Sequence, residues 1–215
     1  MKHTILLLKE FNCLFAMIIK PRIKGFVCIT SHPTGCLENV RAQAELASKV
    51  RLAKNKGPRR VLVIGASTGY GLASRVSAAF ANNADTLGVS FEREPKEGKP
   101  GSPGHYNISA FRKLAEEKNL IAEDIIGDAF SDECKDEVVS KAKEMGGDFD
   151  LVIYSLASPR RTDPTSGENY RACLKPVGMI YKNKTLNTDR KEVKDVTIDP
   201  ANDDELFQTE RVMGG

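Results

Sequence analysis

Between residues 61 and 154, short unbroken apolar runs alternate with longer stretches whose apolar positions recur every three or four residues. Val61-Leu-Val-Ile64 has no polar position, which is the pattern of a strand buried on both faces. Thr86–Phe91, Ile121–Ile126 and Leu151–Tyr154 read as three further strands. Helical spacing fills the intervals, at about Tyr70–Ala81, Ile108–Lys118 and Ser131–Met145, and Gly146-Gly147 stops the last of these. A polar loop rich in Gly and Pro runs from Glu94 to Gly104. Strands and helices alternating at this pace predict βαβ units and a parallel sheet.

The flanks follow other rhythms. Met17–Ser31 predicts a strand or hairpin, Ser31–Gly35 a turn, and Leu37–Lys54 a helix with Leu37, Val40, Ala44, Ala47 and Val50 on one face. Gly57-Pro58 ends that helix. After Ser158-Pro159, residues 160–169 are polar and turn-rich. A hairpin of Tyr170–Leu174 with Val177–Tyr181, turned at Lys175-Pro176, is expected next. A strand at Glu192–Ile198 and a helix at Ala201–Val212 complete the pattern. No internal repeat or low-complexity tract interrupts it.

Composition narrows the function classes. A chain of 215 residues can bury one sizeable core, and its hydrophobic share of 40% is that of a globular protein. The formal net charge is +3 with both signs interleaved, so no basic stripe predicts a nucleic-acid partner. The basic run Lys54–Arg60 contains Asn, Gly and Pro and reads as a solvated turn. Five cysteines without a C-x-x-C pair predict reduced thiols, neither a disulfide framework nor a zinc site. Three scattered histidines point to no metal centre. The first apolar run, Ile5–Leu8, is broken by Lys9-Glu10, too short for a secretory signal or a membrane span. The expectation is a soluble cytoplasmic chain without a membrane partner, with Met17 a candidate start and residues 1–16 an upstream extension.

The candidate chemistry lies in VLVIGASTGYGLASRV, Val61–Val76. Gly65, Gly69 and Gly71 follow a strand and open a helix, the context of a dinucleotide pyrophosphate loop. Gly65 allows the tight turn. Gly69 and Gly71 remove Cβ atoms where backbone meets pyrophosphate and helix meets sheet. An acid near the end of the second strand completes the fingerprint, and Glu92 stands there. Its carboxylate suits ribose hydroxyls and repels a 2′-phosphate, which favours NADH, although Arg93 beside it pulls the other way. By itself Glu92 reads equally as a solvated strand-end acid. Gly65-Ala-Ser67-Thr-Gly69 also fits the G-x-S-x-G elbow of serine hydrolases, but that fold needs a histidine late in the chain, and the only downstream one is His105. A phosphate-binding G-x-x-x-x-G-K loop has no match.

MIIKPRIKGF, SHPTGC, RRVLVIGASTGYGLASR, GDAFSDEC, VIYSLASPRR and LKPVG together resemble the NADH-dependent trans-2-enoyl-CoA/enoyl-acyl-carrier-protein reductases of the bacterial FabV type. The resemblance covers Met17–Gly215 and leaves residues 1–16 outside. It implies a Rossmann-type doubly wound parallel sheet that is incomplete, its C-terminal half missing. Its parts would be a 17–58 N-terminal hairpin-helix segment, a 59–159 dinucleotide-binding core, and a 160–215 partial substrate flap. It also implies NADH/NAD as cofactor, with Gly65, Ala66, Ser67, Thr68, Gly69 and Tyr70 around the pyrophosphate. Phe91 and Glu92 would face the adenosine ribose, Asp128 and Ala129 the adenine, and Leu156 and Ala157 the middle of the cofactor. From the residues alone, Asp128 reads equally as an acid before a helix that Ser131 caps, and Leu156-Ala157 as strand-end packing.

The implied reaction reduces the C2–C3 double bond of an enoyl-CoA or enoyl-acyl-carrier-protein thioester, in fatty-acid biosynthesis. A Tyr-x8-Lys pair does this work in the family. Nine positions after Tyr70, Tyr106, Tyr154, Tyr170 and Tyr181 stand Ala79, Ala115, Asp163, Met179 and Arg190, so no catalytic residue is assigned. Tyr-x3-Lys fails for all five as well. The expectation is a front part of a reductase, truncated before its catalytic pair, with the fourth strand open on one edge. The alternative is a non-catalytic NAD-binding fragment or gene remnant. Oligomeric state is not encoded in any motif.

Overall fold

The computed structural model describes residues 21–24, 27, 28, 30–50, 56–97 and 99–213. Residues 17–20 of the first expected strand and residues 51–54 of the first expected helix lie outside these, as does the N-terminal extension. Ile23–Lys24 (β1) and Val27–Cys28 (β2) form a short antiparallel hairpin. The expected turn at Ser31–Gly35 is instead the start of a helix, Pro33–Lys49 (α1). Pro33 occupies the first helical turn, where a missing N–H costs nothing, and His32 Nδ1 accepts from Gly35 N at 3.1 Å. Val40 and Ala44 on the predicted face are buried, with Leu37 and Ala47 packed beside them; Val50, beyond the helix end, is exposed.

The alternating region forms one parallel sheet from Arg60–Ile64 (β3), Asp85–Ser90 (β4), Ala122–Ile126 (β5) and Leu151–Tyr154 (β6), in the order β5-β4-β3-β6. The connecting helices are Gly69–Asn82 (α2), Pro103–Glu116 (α3) and Asp132–Glu144 (α4). On β3, Val61 and Val63 pack with Ala66 and Ala78 toward α2, while Leu62 packs with Leu87, Val89, Ile125 and Cys134 toward α4. A third cluster joins α1, α2 and α3 around Phe80 and Phe111. Both faces of the sheet centre are thus covered, as the unbroken apolar run predicted.

Arg75 on α2 is fully buried beneath the sheet. It pairs with Asp124 on β5, donates through Nη2 to Glu123 O at 2.7 Å and through Nε to Thr86 Oγ1 at 3.1 Å, and lies 4.3 Å from the Phe111 ring centre. Gly88 on β4 makes room for it: a Cβ there would stand 2.7 Å from the guanidinium carbon. At the amino ends of β3 and β6, Asp150 Oδ2 accepts from Arg59 N at 2.7 Å and Arg60 N at 2.9 Å, fastening the entry of β6 to that of β3.

After β6 the chain departs from the expected hairpin. Residues 160–169, read as turns, supply the first strand of one: Arg160–Thr162 (β7) pairs with Asn169–Arg171 (β8). The expected Tyr170–Leu174 and Val177–Tyr181 strands do not pair; Tyr181–Asn187 (β9) pairs instead with Glu192–Ile198 (β10). Exposed strands bury no alternating face, so neither hairpin announces itself by apolar periodicity. The helix Asp203–Met213 (α5) packs on the β7–β8 hairpin, with Arg211 Nη2 to Asp163 Oδ2 at 3.1 Å and Phe207 edge-on to Tyr170. Among the described residues β6 is an edge strand, and Leu151, Val152 and Tyr154 are largely exposed. No helix of the described residues is long and apolar enough to cross a membrane.

Candidate functional site

The strand order reverses between β3 and β6, since the chain moves outward through β4 and β5 and then returns to the other side of β3. A crevice opens at the carboxyl ends of strands at such a switch point. Here it is a cavity of about 720 Å³ walled by the segments after β3, β4, β5 and β6 and by the β7–β8 hairpin. Gly65, Ser67, Thr68, Gly69, Tyr70, Phe91, Glu92, Asp128, Ala129, Leu156 and Ala157 all line it. Ala66 does not: its side chain is buried with Val61 and Ala78, and its N–H is spent on Val89 O at 3.0 Å.

The loop is built by close backbone approaches. Gly65 has φ +88°, and a Cβ on it would stand 2.8 Å from the Ser155 carbonyl carbon. Gly71, in the first turn of α2, lies so near the loop that its Cβ would be 2.8 Å from the Gly65 carbonyl carbon. The helix therefore seats directly on the loop, with its N-terminus at the cavity. Thr68 occupies the N-cap without a side-chain hydrogen bond, and the first turn carries no acid. By contrast, Ser131 caps α4 through Cys134 N at 3.2 Å, with Asp132 and Glu133 in the first turn. An α2 terminus left without cap or acid presents donor N–H groups and the positive end of the helix dipole to the cavity.

Helix α3 braces this loop from behind. Asn107 Nδ2 donates to Ser67 O at 3.0 Å, and both residues are buried. Ser67 Oγ donates to Glu92 Oε1, and Ser102 Oγ donates to Glu92 Oε2. Ser67 is thus engaged by a carboxylate rather than a histidine, so the Ser–His pair of a hydrolase elbow is not formed. Each carboxylate oxygen of Glu92 still has a second acceptor direction. Asp128 Oδ1 accepts from Phe130 N at 3.0 Å in a turn ahead of the capped α4, so its local structural role is present alongside its place in the cavity.

The far wall was not legible as a site. Phe130, Arg160 and Arg161 join the lining, with the Arg161 guanidinium 5.0 Å from the Phe130 ring centre. Arg161 Nη1 donates to Arg211 O at 3.1 Å, which ties α5 to this wall. Asp163 accepts from Thr165 N at 2.8 Å and Ser166 N at 3.3 Å, and these bonds, with Arg211 nearby, hold its carboxyl below the usual carboxylate range. The double arginine stands in the sequence, but without a strand pattern nothing aims it at the cavity.

Comparison with known proteins adds kinship to this geometry. Residues 18–97 match the family described as the NAD(P)H binding domain of trans-2-enoyl-CoA reductase, and residues 99–215 the one described as the trans-2-enoyl-CoA reductase catalytic region. An enoyl-[acyl-carrier-protein] reductase [NADH] of Idiomarina loihiensis is 54% identical over 199 residues, covering 93% of this chain and 50% of the relative. One from Yersinia enterocolitica is 53% identical over the same coverage. Among solved structures, Treponema denticola trans-2-enoyl-CoA reductase in complex with NAD matches with a TM-score of 0.86 at 46% identity, over 93% of this chain and 51% of that one. The Clostridium acetobutulicum trans-2-enoyl-CoA reductase in complex with NADH matches at 0.84 and 37% identity, over 93% and 50%. The chain spans about half the length of the curated relatives it matches.

Proposed function

The chain belongs to the trans-2-enoyl-CoA reductase family, and from that premise we propose that it carries the NADH-binding half-site of an enoyl-thioester reductase. The observation that carries this reading is the uncapped, acid-free N-terminus of α2, seated on Gly65 and opening into the cavity. A pyrophosphate fits there: first-turn amides of a helix lack an internal acceptor, and beside Gly69 a Cβ would meet nothing within 4 Å, so the loop borders open space at that point. Gly65, Ser67, Thr68, Gly69 and Tyr70 surround it, with Ala66 contributing only the shape of the loop. Phe91 and Glu92 take the adenosine ribose, Asp128 and Ala129 the adenine, and Leu156 and Ala157 the span toward the nicotinamide. Residues 59–159 form the dinucleotide-binding core in this reading.

Bound NADH supplies a hydride, and the family's substrates are trans-2-enoyl thioesters of CoA or carrier protein. This chain's residues bind and orient the cofactor. Ser67 couples the phosphate loop to the ribose acid through its bond to Glu92. No tyrosine of the sequence has a lysine nine positions on, which supports a second reading, NADH binding without turnover. One experiment separates the two: NADH quenching titrated with the purified chain, followed by NADH oxidation with a short trans-2-enoyl-CoA. Turnover supports the reductase, quenching without turnover supports the binding module, and absence of quenching refutes the cofactor site. Glu92→Ala is expected to relax the preference for NADH over NADPH; unchanged discrimination removes the role given to that acid.

A further inference from the structure

Ser102 stands at the N-cap position of α3, where a serine normally accepts a hydrogen bond from an N–H of the first turn. It does not do so here. Its hydroxyl donates instead to Glu92 Oε2, across ten residues of loop, and accepts from Arg93 N at 3.0 Å. Gly104, two residues on, completes the seat: a Cβ there would overlap the Glu92 carboxylate, standing 2.7 Å from even the farther oxygen, Oε2. Asn107 and Ser67 close the other side. One turn of α3 has therefore given up its side-chain cap to grip a single carboxylate at the cavity edge.

We propose that Ser102, with the Cβ-free seat of Gly104, is a positioning residue that fixes Glu92 in the orientation discriminating NADH from NADPH. The inference rests on the NADH reading given above. A glutamate after a strand has three rotatable side-chain bonds, and a free one repels a 2′-phosphate only for the fraction of time it points at it. Held from both sides, by Ser67 on Oε1 and Ser102 on Oε2, the carboxylate keeps its charge and its two remaining acceptor directions aimed at one place. The same hydroxyl accepts from Arg93 N, which ties down the backbone next to Glu92. The serine thus orders the repelling group.

The test is the ratio of NADPH to NADH dissociation constants, measured by quenching on the full chain and on Ser102→Ala, Ser102→Thr and Gly104→Ala. Ser102→Ala removes the anchor and Gly104→Ala blocks the seat. Both are expected to lower the ratio by about tenfold, the order of one charge-assisted hydrogen bond. Ser102→Thr keeps the hydroxyl and is expected to restore the ratio. A loss of folded protein scales both ligands alike on any one variant, so the ratio is insensitive to it. If the parent chain binds NADH and discriminates while Ser102→Ala leaves the ratio unchanged, the positioning role is overturned and the cofactor site stands. If the parent chain does not bind NADH, the cofactor site itself is overturned, and the positioning role with it.

Discussion

Replacing Arg75 by methionine tests what seats helix α2 on the sheet. Arg75 and Asp124 have side-chain exposures of 0% and 3%, so the substitution leaves a carboxylate with neither solvent nor partner. Burial already pushes the Asp124 pKa up against the pull of Arg75, and Oδ2 has no hydrogen-bond partner. Removing one member of such a buried pair costs about 3–5 kcal/mol. Glu123 O and Thr86 Oγ1 lose their donor in the same step, which adds to the cost. For a chain of this size 1 kcal/mol moves Tm by about 2–4 °C, so Arg75→Met is expected to lower Tm by about 6–20 °C.

The double variant Arg75→Met with Asp124→Leu sharpens the test. It removes the stranded charge and is expected to recover stability beyond the sum of the two single changes, though not fully, because Glu123 O remains without its donor. Urea and thermal melts followed by far-UV circular dichroism give the four corners of the cycle. A cost below about 1 kcal/mol for Arg75→Met, or strict additivity of the two changes, refutes the buried-pair account.

Two further outcomes follow from the same packing. Gly71→Ala forces the α2 terminus off the Gly65 carbonyl; overpacking of about 1–3 kcal/mol, at tenfold per 1.4 kcal/mol, weakens NADH quenching by about five- to a hundredfold, and unchanged quenching dissolves the link between helix seating and binding. Asp150 and Asp163 both have carboxyls held below the usual range, Asp150 by the N–H groups of Arg60 and Arg59, Asp163 by those of Thr165 and Ser166. Their stabilising contribution is present above the unfolded value of about 4 and is lost as pH falls through the folded-state values. Urea midpoints measured from neutral to acidic pH are expected to drop in that window, and Asp150→Asn with Asp163→Asn to flatten the drop; an identical acid limb in the variants counts against both bonds.

The sheet was legible because Val61–Val63 is buried on both faces, which favours an unbroken apolar run. The loop glycines and Glu92 were legible because strand, turn and helix follow one another locally. Helix starts were less so: Pro33 and Pro103, the first residues of α1 and α3, look like loop punctuation until the helix behind them is seen. Arg75 gave no sign of its burial, since its partners lie 11 and 49 residues away. The grip of Ser102 on Glu92 and the wall of Arg160 and Arg161 are likewise products of tertiary placement, invisible to periodicity.

The bond from Arg60 N to Asp150 spans 90 residues, and β6 completes its pairing with β3 across the same interval. A chain emerging from the ribosome at about 5–20 residues per second makes β3, β4 and β5, each near its neighbour, seconds before β6 arrives. In that interval one long side of β3 is unpaired and the loop between β3 and α2 lacks Ser155, the backbone it packs against. Non-local parallel pairing of this kind is slow, because loop closure costs entropy before contacts repay it. The residues that shape the loop between β3 and α2 are thus made early and locked in place late, when β6 arrives.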